Sequence, residues 1–102
     1  MTYAIAALSE PIRRQIVERL ARQPMAVGDL AAQFPVTRPA VSQHLKVLKE
    51  AKLVRDRAHG TRRIYFIDPA GFGQIRAWLD RFWDESLAAY AKAVEREEEK
   101  ER

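Results

Sequence analysis

The 102-residue chain carries 18 Lys and Arg against 14 Asp and Glu, which gives a formal net charge of +4, and 47% of it is hydrophobic. This length predicts one domain, 1–102, and the apolar content excludes a disordered polypeptide. The chain has no cysteine, which excludes disulfides, thiolate metal ligands and cysteine nucleophiles and favours a cytoplasmic protein. No apolar run is long enough to span a membrane, so no membrane partner is expected.

The charge is unevenly distributed along the chain. Residues 10–63 contain twelve basic and five acidic residues, whereas residues 64–102 contain six and nine. Seven of the nine aromatic residues lie from Tyr65 onward. The middle of the chain is therefore suited to a polyanionic partner and the C-terminal part to apolar burial, although a basic stretch can also be a merely solvated surface.

Three short helices are predicted in the first third of the chain. The apolar segment 2–8 predicts the first of them. Ser9 is the expected N-cap of the second, whose apolar residues recur at helical spacing over 12–20. Apolar residues over 27–34 predict a third helix of two turns, which Pro35 ends.

A fourth helix follows with one apolar and one polar face. Thr37 is its expected N-cap, and Val41, Leu45 and Leu48 share the face that we expect to be buried. The opposite face carries short polar and basic side chains. Such a face is required of a helix that enters a DNA major groove about 12 Å wide.

A β-hairpin and a long helix complete the chain. The runs 53–58 and 63–67 predict two strands joined by a turn in which Gly60 supplies conformational freedom. The hairpin is basic, with Arg55, Arg57, His59, Arg62 and Arg63. Asp68 is the expected N-cap of a last helix running to about Glu97, roughly 40 Å long, whose aromatic residues need a second surface to cover them.

Together these elements predict a mainly α protein with a β-hairpin wing. The fold class is a winged helix-turn-helix of about five helices and two strands with a long C-terminal helix, in which 26–51 is the helix-turn-helix and 53–67 the wing. Arg38 can pair with a guanine edge and Gln43 with an adenine edge. The candidate DNA-binding residues are Thr37, Arg38, Pro39, Ser42, Gln43, Lys46, Arg57, His59, Arg62 and Arg63.

Two other classes of function are alternatives to DNA binding. A winged helix can be a protein–protein interaction module without sequence-specific DNA binding, but such a module tends to show an apolar outer face. An enzyme is disfavoured, because the sequence has no convergent His, Ser and Asp and no glycine-rich phosphate loop, so we expect no catalytic residue.

From about Ala4 to Tyr90 the chain resembles the ArsR-type winged-helix transcriptional regulators of bacteria and archaea. The resemblance rests on Val41–Leu48 and on the stretches 9–14, 27–30, 38–40, 63–66 and 68–71. It implies a homodimer that represses promoters, binds an inverted-repeat operator and leaves DNA when an effector binds, with dimerisation through helices 2–8 and 69–97. The implied dimerisation residues are Tyr3, Ile5, Leu8, Ile75, Trp78, Leu79, Phe82 and Trp83.

Departures from the family pattern bear on the effector. Metal-sensing relatives carry Cys-x-Cys where this chain has Ala26–Val27–Gly28, and other relatives bind zinc through His and carboxylates on the last helix, where 68–102 has no histidine. We therefore expect no metal and no cofactor. An unknown small organic molecule or no effector is favoured, and a partner protein is the other alternative. A carboxylate site at Asp80, Asp84 and Glu85 is the remaining metal alternative.

Three positions keep more than one interpretation. His44 is expected at the boundary of the core, bonded to backbone, with a base or phosphate contact as the alternative. The aromatic cluster of Trp78, Phe82 and Trp83 is expected to be interface core rather than a cage for a small molecule. The family tends to place glycine at the position of Lys52, just past the fourth helix, where a left-handed backbone favours glycine.

Overall fold

Five α-helices and three β-strands make up the fold, and the computed structural model describes residues 1–101. Arg102, the end of the predicted domain, lies outside the described residues. In chain order the elements are α1 Thr2–Leu8, α2 Pro11–Arg22, β1 Met25–Ala26, α3 Val27–Ala31, α4 Arg38–Glu50, β2 Val54–His59, β3 Arg62–Ile67 and α5 Pro69–Glu101. The predicted winged helix-turn-helix class is confirmed.

The core lies where α2, α3 and α4 meet. Val41, Leu45 and Leu48 are all fully buried, so the predicted apolar face of α4 is confirmed. Ile16 of α2 and Leu30 of α3 are also fully buried against them. Burying these five side chains stabilises the fold by roughly 25 cal/mol for each Å² of apolar surface removed from water. This packing holds α4 in a fixed orientation.

The sheet has one strand more than the sequence predicts. β2 and β3 form the expected hairpin, with pairs from Val54↔Ile67 to His59↔Arg62 and with Gly60 at φ 64° in the turn. β1 pairs antiparallel with the other edge of β3, so the order is β1-β3-β2. The sequence pattern does not predict this strand, because two residues are too few to show alternation. β1 attaches the wing to the start of α3.

Two boundaries differ from their predictions. Glu10, not Ser9, is the N-cap of α2, because its carboxylate accepts the backbone N–H of Arg13 at 2.7 Å, whereas the Ser9 hydroxyl donates to the carbonyl of Ala6 at the end of α1. α3 ends at Ala31, and the rest of the predicted second turn is irregular chain that buries Phe34 in the core.

The predictions for the junctions around α4 and α5 are confirmed. Thr37 Oγ1 accepts the N–H of Ala40 at 3.3 Å, and Asp68 Oδ1 accepts the N–H of Ala70 at 2.9 Å, so both side chains cap the helix that follows. Lys52 has φ 63°, the left-handed conformation that the family resemblance implies.

α1 and α5 lie at the edge of this core. Arg13 Nε donates to the carbonyl of Ala7 at 2.7 Å, which satisfies a free carbonyl at the end of α1. α5 has 33 residues and passes the predicted end at Glu97, and the molecule measures 72 × 25 × 22 Å as a result. Across the described part of the chain, no helix combines the length and apolar character needed to cross a membrane.

Candidate nucleic-acid interface

The outer face of α4 presents the predicted recognition residues to solvent. Pro39 lies in the first turn, where its missing N–H costs no helical hydrogen bond. All six candidates on this helix are exposed: Thr37, Arg38, Pro39, Ser42, Gln43 and Lys46. Because the opposite face is locked into the core, these side chains are held on a rigid element with no bulky apolar neighbour between them.

The wing carries a second group of cations on the face turned away from the core. Arg55 and Arg57 alternate with Asp56 along β2 and therefore point to the same side of the sheet. Their guanidinium carbons lie 5.9 and 5.8 Å from the centroid of the Phe66 ring, a cation–π distance. Arg55 was not among the predicted candidates, although the period of two that it shares with Arg57 indicates its position.

The tip of the wing places His59 directly across from Arg62, and both are exposed. The Arg62 guanidinium forms an ion pair with the carboxylate of Asp29 in α3. This ion pair therefore connects the tip of the wing to α3 of the helix-turn-helix.

A buried carboxylate connects α4 to the wing. Asp56 has a side chain only 6% exposed, and it pairs with Lys49 Nζ at 2.7 Å and with Arg63 Nε at 3.3 Å. Arg63, a predicted DNA contact, is therefore exposed but already engaged inside the protein. Spacing along the chain does not indicate the role of Asp56, because its two partners come from different elements.

One cation of α4 and two cations of the wing border a cleft. It has a volume of about 500 Å³ and lies between the start of α3, the N-terminal end of α4 and the wing. Arg38, Arg62 and Arg63 line it together with Tyr65. Arg38 at the start of α4 and the two wing arginines therefore form one basic surface, whereas Arg55 and Arg57 lie on the outward face of the hairpin.

His44 lies at the boundary of the core, as expected, but faces a carboxylate instead of backbone. Its Nδ1 is 3.9 Å from Glu10 Oε2. The backbone N–H of Arg13 lowers the pKa of Glu10, and the backbone N–H of Ile12 and the charge of Arg13 add to the effect. His44 thus packs between α4 and the start of α2 rather than on the outer face.

A separate surface on α1 and α5 is apolar and exposed. Trp78 and Phe82 stack with ring centroids 5.4 Å apart, and Trp83 beside them is 62% exposed. Of the eight predicted dimerisation residues, Leu8 and Ile75 pack partly against the core of their own chain, and the other six are exposed: Tyr3, Ile5, Trp78, Leu79, Phe82 and Trp83. Leu87, Tyr90 and Val94 continue the exposed apolar surface along α5.

The acidic residues of α5 do not form a cluster. Arg76 Nε lies 4.0 Å from Asp80 Oδ2, one helical turn away, and both side chains are largely exposed. Over residues 1–101, no three His, Cys, Asp or Glu side chains come close enough together to hold a metal ion. The suggested grouping of Asp80, Asp84 and Glu85 is therefore not a ligand set in this structure.

Comparisons with known proteins give the same description. The family described as "Bacterial regulatory protein, arsR family" matches residues 10–56. The HTH-type transcriptional regulator Rv2034 of Mycobacterium tuberculosis is 58% identical over 91 residues, 89% of this chain and 85% of the relative. The transcriptional repressor SdpR of Bacillus subtilis is 30% identical over 82 residues, 80% of this chain and 91% of the relative.

A solved structure adds a likeness in fold. The homodimeric winged helix-turn-helix DNA-binding domain Mb0332 from Mycobacterium bovis superimposes with a TM-score of 0.67 at 30% identity. The match covers 84% of this chain and 80% of that one. The aligned part therefore includes far more than the helix-turn-helix alone.

Proposed function

The chain belongs to the arsR family of bacterial regulatory proteins, and on that premise we propose that it is a homodimeric transcriptional repressor of an inverted-repeat operator. The observation that supports this most directly is the basic surface that Arg38 at the start of α4 forms with Arg62 and Arg63 of the wing. The relative SdpR is a transcriptional repressor, which supports repression rather than activation. The structural neighbour Mb0332 is a homodimeric DNA-binding domain, which supports a dimer.

In this proposal α4 lies in the major groove. Gln43 pairs with an adenine edge and Arg38 with a guanine edge, because their side chains supply the donors and acceptors that those bases complement. Ser42 and Lys46 flank them and contact phosphates or bases. Direct readout thus comes from the first three turns of α4.

The wing contacts the backbone beside the groove. The guanidinium groups of Arg55 and Arg57 are spread over the Phe66 ring on the outward face, where phosphates can reach them. The tip residues His59 and Arg62 extend the same edge. Because phosphates are common to every sequence, these residues strengthen binding to all duplexes alike.

Two copies place two recognition helices on one DNA face. In a two-fold symmetric dimer held by α1 and α5, the half-sites lie about one helical turn of DNA apart. We assign the helices 2–8 and 69–97 to dimerisation, 26–51 to the helix-turn-helix and 53–67 to the wing. The protein works by binding alone, in the cytoplasm, and catalyses no reaction.

The effector in this proposal is not a transition metal. The chain has two histidines and no cysteine, and His44 is engaged at Glu10 on the opposite side of α4 from the DNA face. What remains is a small organic molecule, a partner protein, or control by the concentration of the repressor alone. Zinc, nickel, cobalt and copper, titrated into the operator complex with chelator controls, should leave the affinity unchanged; reversible release at micromolar metal that persists without His44 and His59 would contradict this.

The DNA-binding proposal is tested by selecting bound sequences from random duplexes and measuring affinity for the selected operator. Gln43→Ala should weaken binding to the operator by roughly 1–3 kcal/mol of binding free energy and binding to random DNA by little, because it removes a base contact. Gln15→Ala on α2, outside the basic surface, is the matched control and should change neither. Equal losses on both kinds of DNA would show that α4 is not the reading helix.

The salt dependence tests the phosphate contacts separately. About four phosphate contacts per subunit predict that log affinity falls with log salt at a slope of roughly −7 for the dimer. Replacing Arg62 and Arg63 by Ala should weaken random and operator DNA equally and flatten the slope. A slope near zero for the wild type would overturn the proposal.

A further inference from the structure

Asp29, an exposed acid beside the basic surface, forms an ion pair with Arg62 at the wing tip. The two residues are 33 positions apart in sequence. The side chain of Asp29 is 65% exposed and that of Arg62 is 55% exposed. Asp29 lies in the first turn of α3, next to Gly28, over which the Arg38 guanidinium packs. The pair therefore bridges the wing tip and the helix-turn-helix at the edge of the proposed DNA surface.

A carboxylate at this position is unfavourable for DNA binding by itself. It repels phosphates, and it neutralises a guanidinium that would otherwise attract them. Its geometry matches what a phosphate would offer, since a carboxylate and a phosphate present similar oxygen pairs to the planar donors of arginine. An exposed pair of this kind is also only weakly stabilising, so it exchanges readily.

We propose that Asp29 is an internal substitute for DNA phosphate: it latches Arg62 to α3 in the free protein and releases Arg62 to a phosphate when DNA binds. This inference rests on the proposed DNA-binding function and adds a regulatory residue to it. The latch keeps the wing tip ordered before binding. Because every duplex must displace the carboxylate, the latch lowers affinity for operator and random DNA together.

The second acid of this region, Asp56, provides a matched contrast. Its side chain is 6% exposed and contacts both Lys49 and Arg63, so DNA cannot replace it without opening the junction of α4 and the wing. Removing one negative charge should therefore raise the affinity for DNA at Asp29 and lower it at Asp56. Simple electrostatics would instead predict tighter DNA binding in both cases.

The test compares Asp29→Asn and Asp56→Asn on a random duplex at about 0.1 M salt. Asp29→Asn should bind roughly tenfold more tightly, because the dimer no longer breaks two exposed ion pairs. Asp56→Asn should bind more weakly, because Lys49 and Arg63 lose their shared anchor. Weaker or unchanged binding by Asp29→Asn, with the fold intact by circular dichroism, would overturn the latch.

A double-mutant cycle separates the latch from a general charge effect. In the Arg62→Gln background, Asp29→Asn should raise the affinity for DNA by much less than tenfold, because no arginine remains to be released. A gain of the same size with and without Arg62 would show that Asp29 acts only as a repulsive charge, and the latch would be rejected.

A measurement without DNA distinguishes failure of the latch from failure of the proposed function. The Arg62 Nε–Hε resonance, assigned by its loss in Arg62→Gln, should shift in Asp29→Asn and stay in place in Asp56→Asn. No shift in Asp29→Asn, together with normal binding by the wild type, overturns the latch alone. A wild type that binds no duplex even at low salt overturns the DNA-binding function, and with it the role of the latch.

Discussion

Lys52 occupies a backbone conformation that side chains other than glycine adopt at a cost. It has φ 63° and lies just after Ala51, the C-cap of α4, and its carbonyl accepts the N–H of Gly71 at 2.9 Å. The left-handed turn lets the chain reverse into β2 within a few residues, so that Leu53 and Val54 are both buried. The strained angle is therefore required by the junction between the recognition helix and the wing.

Lys52→Gly should stabilise the protein by up to about 1 kcal/mol. Glycine removes the steric penalty of a left-handed residue, and this gain exceeds or balances the extra entropy of the unfolded chain. Urea unfolding monitored by circular dichroism measures the difference. Lys52→Ala, which keeps the Cβ atom, is the control and should show no gain, while a clear loss in Lys52→Gly would mean that the exposed lysine side chain contributes more than its backbone costs.

Glu10 gives the stability of α2 a pH dependence at the acid end. Its pKa lies below the ordinary value of 4.5, chiefly because its carboxylate accepts the backbone N–H of Arg13. A lowered folded-state pKa means that the stabilisation is complete above the ordinary value and is lost as the pH falls through the lowered one. Melting temperatures of wild type and Glu10→Gln should differ at neutral pH and converge in acid. A constant difference across this range would contradict the capping role of the charge.

At the level of the elements, the start of α5 is fitted closely against the end of α4. A Cβ atom on Gly71 would lie 2.6 Å from the carbonyl oxygen of Lys52 and 3.0 Å from that of Ala51. Backbone atoms of this kind cannot move away cheaply. The close contact fixes the direction in which α5 leaves the winged domain.

Gly71→Ala should therefore destabilise the protein by about 1–3 kcal/mol, the usual cost of overpacking. Gly73, in the same helix, has nothing within 4 Å of a Cβ position. Gly73→Ala is the control and should be stabilising by up to about 1 kcal/mol, because alanine favours the helix. Equal effects at the two positions in thermal unfolding would show that α5 tolerates a shift at its start.

Local signals predicted most of these elements, whereas contacts between distant elements were not predictable. The caps Thr37 and Asp68 and the buried face of α4 follow from residue type and spacing within a few residues. β1 is too short to have a pattern. The choice of Glu10 over Ser9 as a cap depends on side-chain direction, and the pair of Asp29 with Arg62 depends on how the wing folds back onto α3. Neither is encoded by spacing along the chain.

At the scale of the whole molecule, α5 extends beyond the winged domain that precedes it. The longest dimension is 72 Å against 25 and 22 Å for the others. Along its exposed length this helix presents an apolar surface that a monomeric protein would rarely leave in water. A second copy related by two-fold symmetry would cover the same residues on both chains at once.

Trp83→Glu should convert the proposed dimer into a monomer while leaving the winged domain folded. The side chain is 62% exposed in the single chain, so its replacement removes no core contact, but in a symmetric interface two carboxylates would be brought together in an apolar environment. Ala88→Glu adds the same charge about 140° around the helix and should remain a dimer. Sedimentation at micromolar concentration distinguishes these states.

The Trp83→Glu monomer should also lose most of its affinity for a complete operator, because each half-site then binds independently. A wild type that sediments as a monomer under these conditions would rule out this interface.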